Sequence, residues 1–515
     1  MNTGRRKRHA VWMILLSLAV LGGSFAGAEA RAKTYGGSEF DLGSSMQETL
    51  DGGWIVAGAT ASSGEGENDA WVVKLDRDGE IVWQKTYGGS GNDYAKCIGL
   101  TMDGGYIVAG TTYSFGAGGS DAWLLKLDED GDVIWQKAYG GGSYDYVTAI
   151  EVLSWGYVVA GNTFSFGDGD SNIWVMAIVN DGETAWEKTY GGDGFDSAFS
   201  IRQTDDWGYL IAGETFSFGQ GENDLWLLKL DFMGDVLWQK TYGASGFDWP
   251  FRLQLTEDGG CIVAGNTLSS GAGEDDIWIM KLDDQGRVSW QKTYGGAGFD
   301  WPASIEQTSD DGFIVAGGTY SFGMGEDDLW VIKLKEDGDI DWQKTYGGSS
   351  SDYGTVIQRA GGGYKVAGVT TSFGAGEEDL WVLNLDSDGQ IPDSNNVLAS
   401  SASVADTSVA GIDSNCVVES TFATVTDTGP PPGDFDIDGI VNLRDFAKLA
   451  SAWLTELDEP GWNPKYDISV PADGFIDVFD LAILVENWLI RTLPVWKSSV
   501  DKARFRTAHA PPGRR

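Results

Sequence analysis

Between residues 31 and 391 the chain alternates short apolar runs with glycine-rich polar breaks, in a beat that repeats every 52 residues or so. In Lys85–Gln136 four runs stand out: Ala95–Thr101, Tyr106–Ser114, Ala122–Asp128 and Val133–Gly140, the last crossing into the following unit. Each is rich in Val, Ile, Tyr, Trp or Thr, which fit a pleated surface. The breaks are Asp103-Gly104-Gly105, Gly116–Gly119 and Asp130-Gly131. Asp-Gly and Gly-Gly supply the positive φ of tight hairpins. No run is long enough for a capped helix. The unit therefore predicts a four-stranded antiparallel meander.

The unit is marked by Lys-Thr-Tyr-Gly or a close variant, with its Lys at Lys33, Lys85, Lys137, Lys188, Lys240, Lys292 and Lys344. A lone meander cannot bury both faces, but a ring of seven can. Four strands per 40–50 residues point to a mainly β fold, a seven-bladed β-propeller of four-stranded antiparallel blades over residues 31–391. Six units carry a Trp before the mark: Trp83, Trp135, Trp186, Trp238, Trp290 and Trp342. The first mark has no strand-rich unit before it, and the last unit, ending at Gln390, lacks its fourth strand. Residues 31–36 are expected to supply that strand and close the ring, removing a free sheet edge.

The repeat is similar to those of secreted bacterial and archaeal β-propeller proteins. Leu127-Asp128-Glu129-Asp130-Gly131-Asp132-Val133-Ile134-Trp135 also resembles the tryptophan-docking motif of quinoprotein dehydrogenases. That resemblance implies a Trp clamp between neighbouring blades. Function sits on sites and not on folds, so it is sought where the repeats differ. Units five and six carry Phe247-Asp248-Trp249-Pro250 and Phe299-Asp300-Trp301-Pro302, at the start of the first strand. Units three and four place Trp155 and Trp207 in the following hairpin. Trp155, Trp207, Trp249 and Trp301 are the candidate ligand-binding residues, suited to stacking on the sugar rings of a polysaccharide.

Two acidic sets obey the repeat instead. Asp41, Asp93, Asp145, Asp196, Asp248, Asp300 and Asp352 precede the first strand; Asp69, Asp121, Asn172, Asp224, Asp276, Asp328 and Asp379 precede the third-strand Trp. Residues placed identically in every blade are expected to tie turns by side chain-to-backbone hydrogen bonds. No unit shows an odd carboxylate pair. The two histidines, His9 and His509, leave the ring without a Ser-His-Asp triad, a histidine base or an imidazole metal ligand. No catalytic residue is assigned. A carboxylate-only glycoside hydrolase or lyase stays open as an alternative, with a quinoprotein-like oxidoreductase behind it.

The ends of the chain read differently. Residues 1–30 have a basic head at Arg5–Arg8, an apolar run over Val11–Leu21 and small residues to Ala30. This is the pattern of a secretory signal peptide and predicts an extracellular or cell-surface protein, with no transmembrane segment in the mature chain. Residues 392–432, rich in Ser, Thr, Ala and Val and ending in Pro430-Pro431-Pro432, are expected to be an extended linker. Residues 491–515 form a basic tail. The net charge of −42 repels nucleic acid and anionic membranes. The cysteines, Cys97, Cys261 and Cys416, show no pairing pattern, and no essential disulfide is expected.

Within residues 433–490, Asp434, Asp436, Asp438, Asn442 and Asp445 fall at loop positions 1, 3, 5, 9 and 12, with Gly439 at 6 and the Ile440 carbonyl at 7. Hard oxygen ligands around one glycine are calcium chemistry. Phe446, Leu449, Ala450, Trp453 and Leu454 then line one face of a helix. The pattern returns with Asp467, Ser469, Asp473, Phe475 (by its carbonyl), Asp477 and Asp480, ahead of Leu481, Leu484, Val485, Trp488 and Leu489. Two loop–helix halves closed by Asp resemble a type I dockerin. The resemblance implies a small α-helical Ca²⁺ domain, a cohesin-like partner and a polysaccharide-degrading setting. The second loop departs by two extra residues between Ser469 and Asp473. Leu443-Arg444 and Val478-Phe479 stand where the family often has Ser-Thr, so a standard cohesin is not implied.

Overall fold

The computed structural model describes residues 32–391 apart from 221 and 272, together with the backbone of four short strands between 403 and 427. Residues 32–391 form seven antiparallel four-stranded blades. Blade 1 runs Asp41–Glu48, Trp54–Thr60, Asp69–Leu75 and Ile81–Tyr87, from the channel outward, and the next five repeat it. The middle strands are apolar on both faces because each blade is packed between two others. Trp54–Thr60 and Asp69–Leu75 are buried along their whole length. The core is accordingly a series of inter-blade layers, such as Ile55, Val72, Ile98, Val108, Trp123 and Leu125 between blades 1 and 2. The first strand carries a β-bulge in every blade. Bulges add twist, and here each shifts the register of the first strand by one residue against the second.

Closure follows the sequence expectation. Ala32–Tyr35 pairs with Leu380–Leu383 as the outer strand of blade 7, whose other strands are Asp352–Ala360, Gly363–Thr370 and Asp379–Leu385. The repeated mark then docks each blade onto the next. In all seven blades the Tyr hydroxyl donates to the carbonyl of a hairpin glycine one blade on, at 2.5–2.7 Å, from Tyr35 to Gly79 round to Tyr346 to Gly389. Lys33, Lys85, Lys137, Lys188 and Lys292 reach acidic residues of the same hairpins. The indole N–H groups of Trp83, Trp135 and Trp290 donate to Glu129, Asn180 and Glu336 carbonyls. The clamp is thus a Trp-Lys-Tyr unit rather than a Trp alone.

The acidic sets are structural as well. From Asp41 to Asp352 each first-set carboxylate accepts a backbone N–H four residues before it, at 2.7–2.9 Å. In the long hairpin before the third strand, Asp121, Asp328 and Asp379 likewise accept a backbone N–H four residues before them, and Asp69 accepts that of Gly66 three before it, at 2.7–3.0 Å. An ion pair that sequence reading passed over recurs in five blades. The buried Lys74, Lys126, Lys229, Lys281 and Lys333 reach Asp51, Asp103, Asp206, Asp258 and Asp310 of the first hairpin, at 2.7–2.9 Å. Cys97 and Cys261 are free.

Part of the stretch expected as a tether is built into the sheets. Ser403–Asp406, Ile412–Asp413, Val417–Ser420 and Thr424–Asp427 pair antiparallel with the outer strands of blades 6, 5, 4 and 3 in turn. The reason is the edge itself: an outer strand offers unpaired backbone groups, and a short segment needs no core of its own to use them. In register, Lys344, Lys292 and Lys188 of the marks face Asp406, Asp413 and Asp427. The calcium-loop residues 434–480, the signal segment and the basic tail lie outside the described residues.

Candidate functional site: the aromatic mouth and the channel

The first strands of all blades begin at one mouth of the ring and end in hairpins at the other. This splits the four candidate tryptophans. Trp249 and Trp301 are the second residues of the first strands Asp248–Leu255 and Asp300–Gln307. Trp155 and Trp207 sit in hairpins at the far ends of such strands, roughly 20 Å away by strand rise. The structure does not bring the four together.

Trp155 is a packing residue. Its blade has Ala177 where five others have the buried Lys, and the indole packs edge-on against Phe232 of the next blade at 5.6 Å. Trp207 is 63% exposed and takes a φ of 65°, at a position that Gly52, Gly104 and Gly259 fill elsewhere. A bulky side chain in the left-handed region is strained, and nothing in the structure explains this one.

Trp249 and Trp301 belong to an aromatic surface that continues from blade to blade. Phe164, Phe195, Phe216, Phe247 and Trp249 follow one another with ring centroids 5.9–6.4 Å apart. Trp301 contacts Phe299 at 5.1 Å, Tyr320 at 5.8 Å and Tyr353 at 6.3 Å. Tyr144, Phe164, Phe216 and Tyr320 are 39–54% exposed, so this is a surface and not a core. Between blades 4 and 5 it dips into a recess of about 400 Å³ lined by Phe195, Phe199, Phe216, Phe247 and Trp249. One polar pair stands in its wall: Asn223 donates to Glu214 Oε2 at 2.8 Å. Burial raises the Glu214 pKa against the lowering effect of that hydrogen bond. Sequence reading missed Glu214, although its strand position is uncharged in every other blade, from Ala59 to Val369. Aromatic faces flanked by a few fixed polar groups suit sugar rings, whose C–H faces stack and whose hydroxyls need hydrogen-bond partners.

The channel behind the mouth holds a second recess of about 400 Å³. Two levels of first-strand residues line it. Beside the bulge stand Ser45, Cys97, Ala149, Arg252, Ser304 and Val356; two residues on stand Gln47, Gly99, Glu151, Arg202, Gln254, Glu306 and Gln358. The repeat breaks here more sharply than at the mouth, and this level does hold a pair of carboxylates that the other blades lack, Glu151 and Glu306. Burial raises both of their pKa values. Each is engaged: Arg202 lies 3.7 Å from Glu151, while Glu306 accepts the Arg359 backbone N–H at 2.7 Å with that guanidinium at 3.9 Å.

No protein-family model matches the chain. Over 185 residues it is 26% identical to the regulatory protein FlaEY of Caulobacter vibrioides, a match covering 33% of this chain and 18% of that protein. The chain thus spans less than a fifth of that relative. Among solved structures it is similar to a putative 6-phosphogluconolactonase from Bacteroides fragilis, at 13% identity and a TM-score of 0.42 over 74% of this chain and all of that one. It is also similar to Sqt1 from Chaetomium thermophilum, at 12% identity and a TM-score of 0.40 over 66% of this chain and 82% of that one. An endo-1,5-alpha-L-arabinanase from Thermotoga petrophila aligns at 12% identity and a TM-score of 0.26 over 68% of this chain and 99% of that one. These likenesses extend to the fold alone.

Proposed function

We propose that this protein is a secreted, non-catalytic, carbohydrate-binding β-propeller, held in place by a calcium-dependent dockerin-like module. The observation that supports the binding role is the aromatic mouth: half-exposed rings across neighbouring blades, opening into a recess with one carboxylate–amide pair. A glycan with several contiguous sugars spans more than one blade there and stacks on Trp249 and Trp301. Asn223 and Glu214 orient the sugar that enters the recess through its hydroxyls. Residues 1–30 direct export. Residues 433–490 recognise a cohesin-like protein, with Asp434, Asp436, Asp438, Asn442, Asp445 and the Ile440 carbonyl holding Ca²⁺ in the first loop. Both of these roles rest on sequence spacing.

The test is a glycan-array screen of the full chain and of Trp249→Ala with Trp301→Ala. Binding by the parent that disappears in a folded double variant supports the assignment. A folded double variant that binds as the parent does removes the mouth from consideration. One observation favours a hydrolytic second reading: Glu151 and Glu306 share a channel level, and burial raises both carboxyl pKa values. Release of reducing sugar from array hits, abolished by Glu151→Gln or Glu306→Gln, would establish it; no release by the parent rejects it.

A further inference from the structure

The residues around Arg252 tie adjacent blades together, and most do so without charge. Ser45 accepts the Ile98 N–H at 3.3 Å, and Cys97 donates to the Thr148 carbonyl at 3.2 Å. Arg252 makes the equivalent tie from blade 5, Nε to the Ala303 carbonyl at 3.1 Å. A neutral side chain performs this task in other blades, so the positive charge of Arg252 is surplus to it. The charge is also unmatched. Arg202 has Glu151 and Arg359 has Glu306, whereas Arg252 has no carboxylate within 4.0 Å among the described residues. Only five arginines occur between residues 32 and 391 of this acidic chain, and two of them line one channel. A partly buried charge without a carboxylate partner is costly, and burial lowers the Arg252 pKa, with Arg202 adding to the fall.

We infer that the channel binds a monoanionic, hydroxyl-rich carboxylate, a uronic or aldonic sugar acid, with its carboxylate on Arg252. Three features narrow the class. Removing the two paired arginines leaves one positive charge, which suits a monoanion better than a dianion. Glu151 and Glu306 line the same recess and disfavour further negative charge. Ser45, Ser304, Gln47, Gln254 and Gln358 provide neutral donors and acceptors for hydroxyls. A guanidinium can also meet a carboxylate through two parallel hydrogen bonds. The site is independent of the mouth, and its occupant does not depend on glycan stacking there.

The test is calorimetric titration of the full chain carrying Trp249→Ala and Trp301→Ala, so that the mouth contributes no heat. Sodium glucuronate is the ligand, glucose the uncharged analogue and inorganic phosphate the generic anion. Glucuronate should bind at least about 10-fold more tightly than either control. Arg252→Gln should weaken it by roughly 10- to 100-fold, the range for a charged hydrogen bond, and Arg252→Lys by less. A circular dichroism melt establishes whether Arg252→Gln is folded; if it is not, Arg252→Lys decides, with unchanged affinity counting against the assignment. Absence of glucuronate heat, phosphate binding as tight as glucuronate, or a folded Arg252→Gln of unchanged affinity would overturn it.

Discussion

The ring closes through a four-residue strand, and Tyr35→Ala tests how much that seam contributes. The Tyr35 side chain is 8% exposed, its strand position faces Leu380, and its hydroxyl donates to the Gly79 carbonyl at 2.7 Å. Burial, then Glu80 and Asp76, push the phenol pKa up, so it stays a donor across the working pH range. Removing the ring forfeits about 2 kcal/mol of transfer free energy, and the hydrogen bond adds about 1 kcal/mol. A loss of about 3–4 kcal/mol agrees with the usual cost of deleting a buried aromatic ring. At about 2 cal/mol/K of unfolding entropy per residue, a ring of some 360 residues should melt roughly 4–5 °C lower. Tyr35→Phe, which keeps the ring, should cost only about 1 kcal/mol. Differential scanning calorimetry gives the midpoints, and hydrogen exchange gives the location: the amides of Leu380–Leu383 should lose protection first. An unchanged midpoint with unchanged protection at Leu380–Leu383 would refute the claim that this strand holds the ring shut.

Further outcomes follow from the same structure. Truncation after residue 391 uncovers the outer strands of blades 3–6, so the shortened ring should aggregate and exchange faster at Lys188–Gly191 and Lys344–Gly347; monomeric behaviour with parental exchange would show that the added strands protect nothing. In acid, burial opposes but Thr and Lys hydrogen bonds prevail in holding Asp103, Asp258 and Asp310 at about 2, below the ordinary 3.8. Depressed folded pKa values mean that stability is present above 3.8 and lost as pH falls through about 2. The triple Asn variant should therefore be less stable at pH 6 and lose less between pH 4 and pH 2, as read by denaturant titration; parallel pH profiles would contradict this. Calcium titration of the full chain should show at least one site that Asp434→Ala with Asp438→Ala abolishes, and a heat-free titration of the parent would refute the loop assignment.

How much of this could be seen in the chain depends on which physical rule was in force. The blades, their number and the closing strand were legible because hairpin glycines and strand runs recur with one period, and only a ring buries both faces of every meander. The structural role of the repeated Asp residues was legible for the same reason. Trp249 and Trp301 were visible as departures from the repeat, but that Trp155 and Trp207 stand at the opposite mouth needs the strand direction. Glu151, Arg202, Arg252 and Glu306 also depart from it, yet they attract attention only once the bulge has set which first-strand positions face the channel. Whether a guanidinium lacks a counter-charge depends on residues some 50 positions away. The added strands at 403–427 were hidden because edge pairing uses backbone groups and leaves little apolar signal.

The central claim is that sugars stack at the mouth bearing Trp249 and Trp301, and the most direct test is fluorine NMR of the full chain labelled with 5-fluorotryptophan. Signals are assigned by single Trp→Phe substitutions, and the spectrum is followed during titration with an oligosaccharide taken from the array. The account predicts saturable shifts of the Trp249 and Trp301 signals, with Trp155 and Trp207 unmoved at the far mouth. Shifts at Trp207 with none at Trp249 or Trp301 would place binding on the opposite face and contradict it.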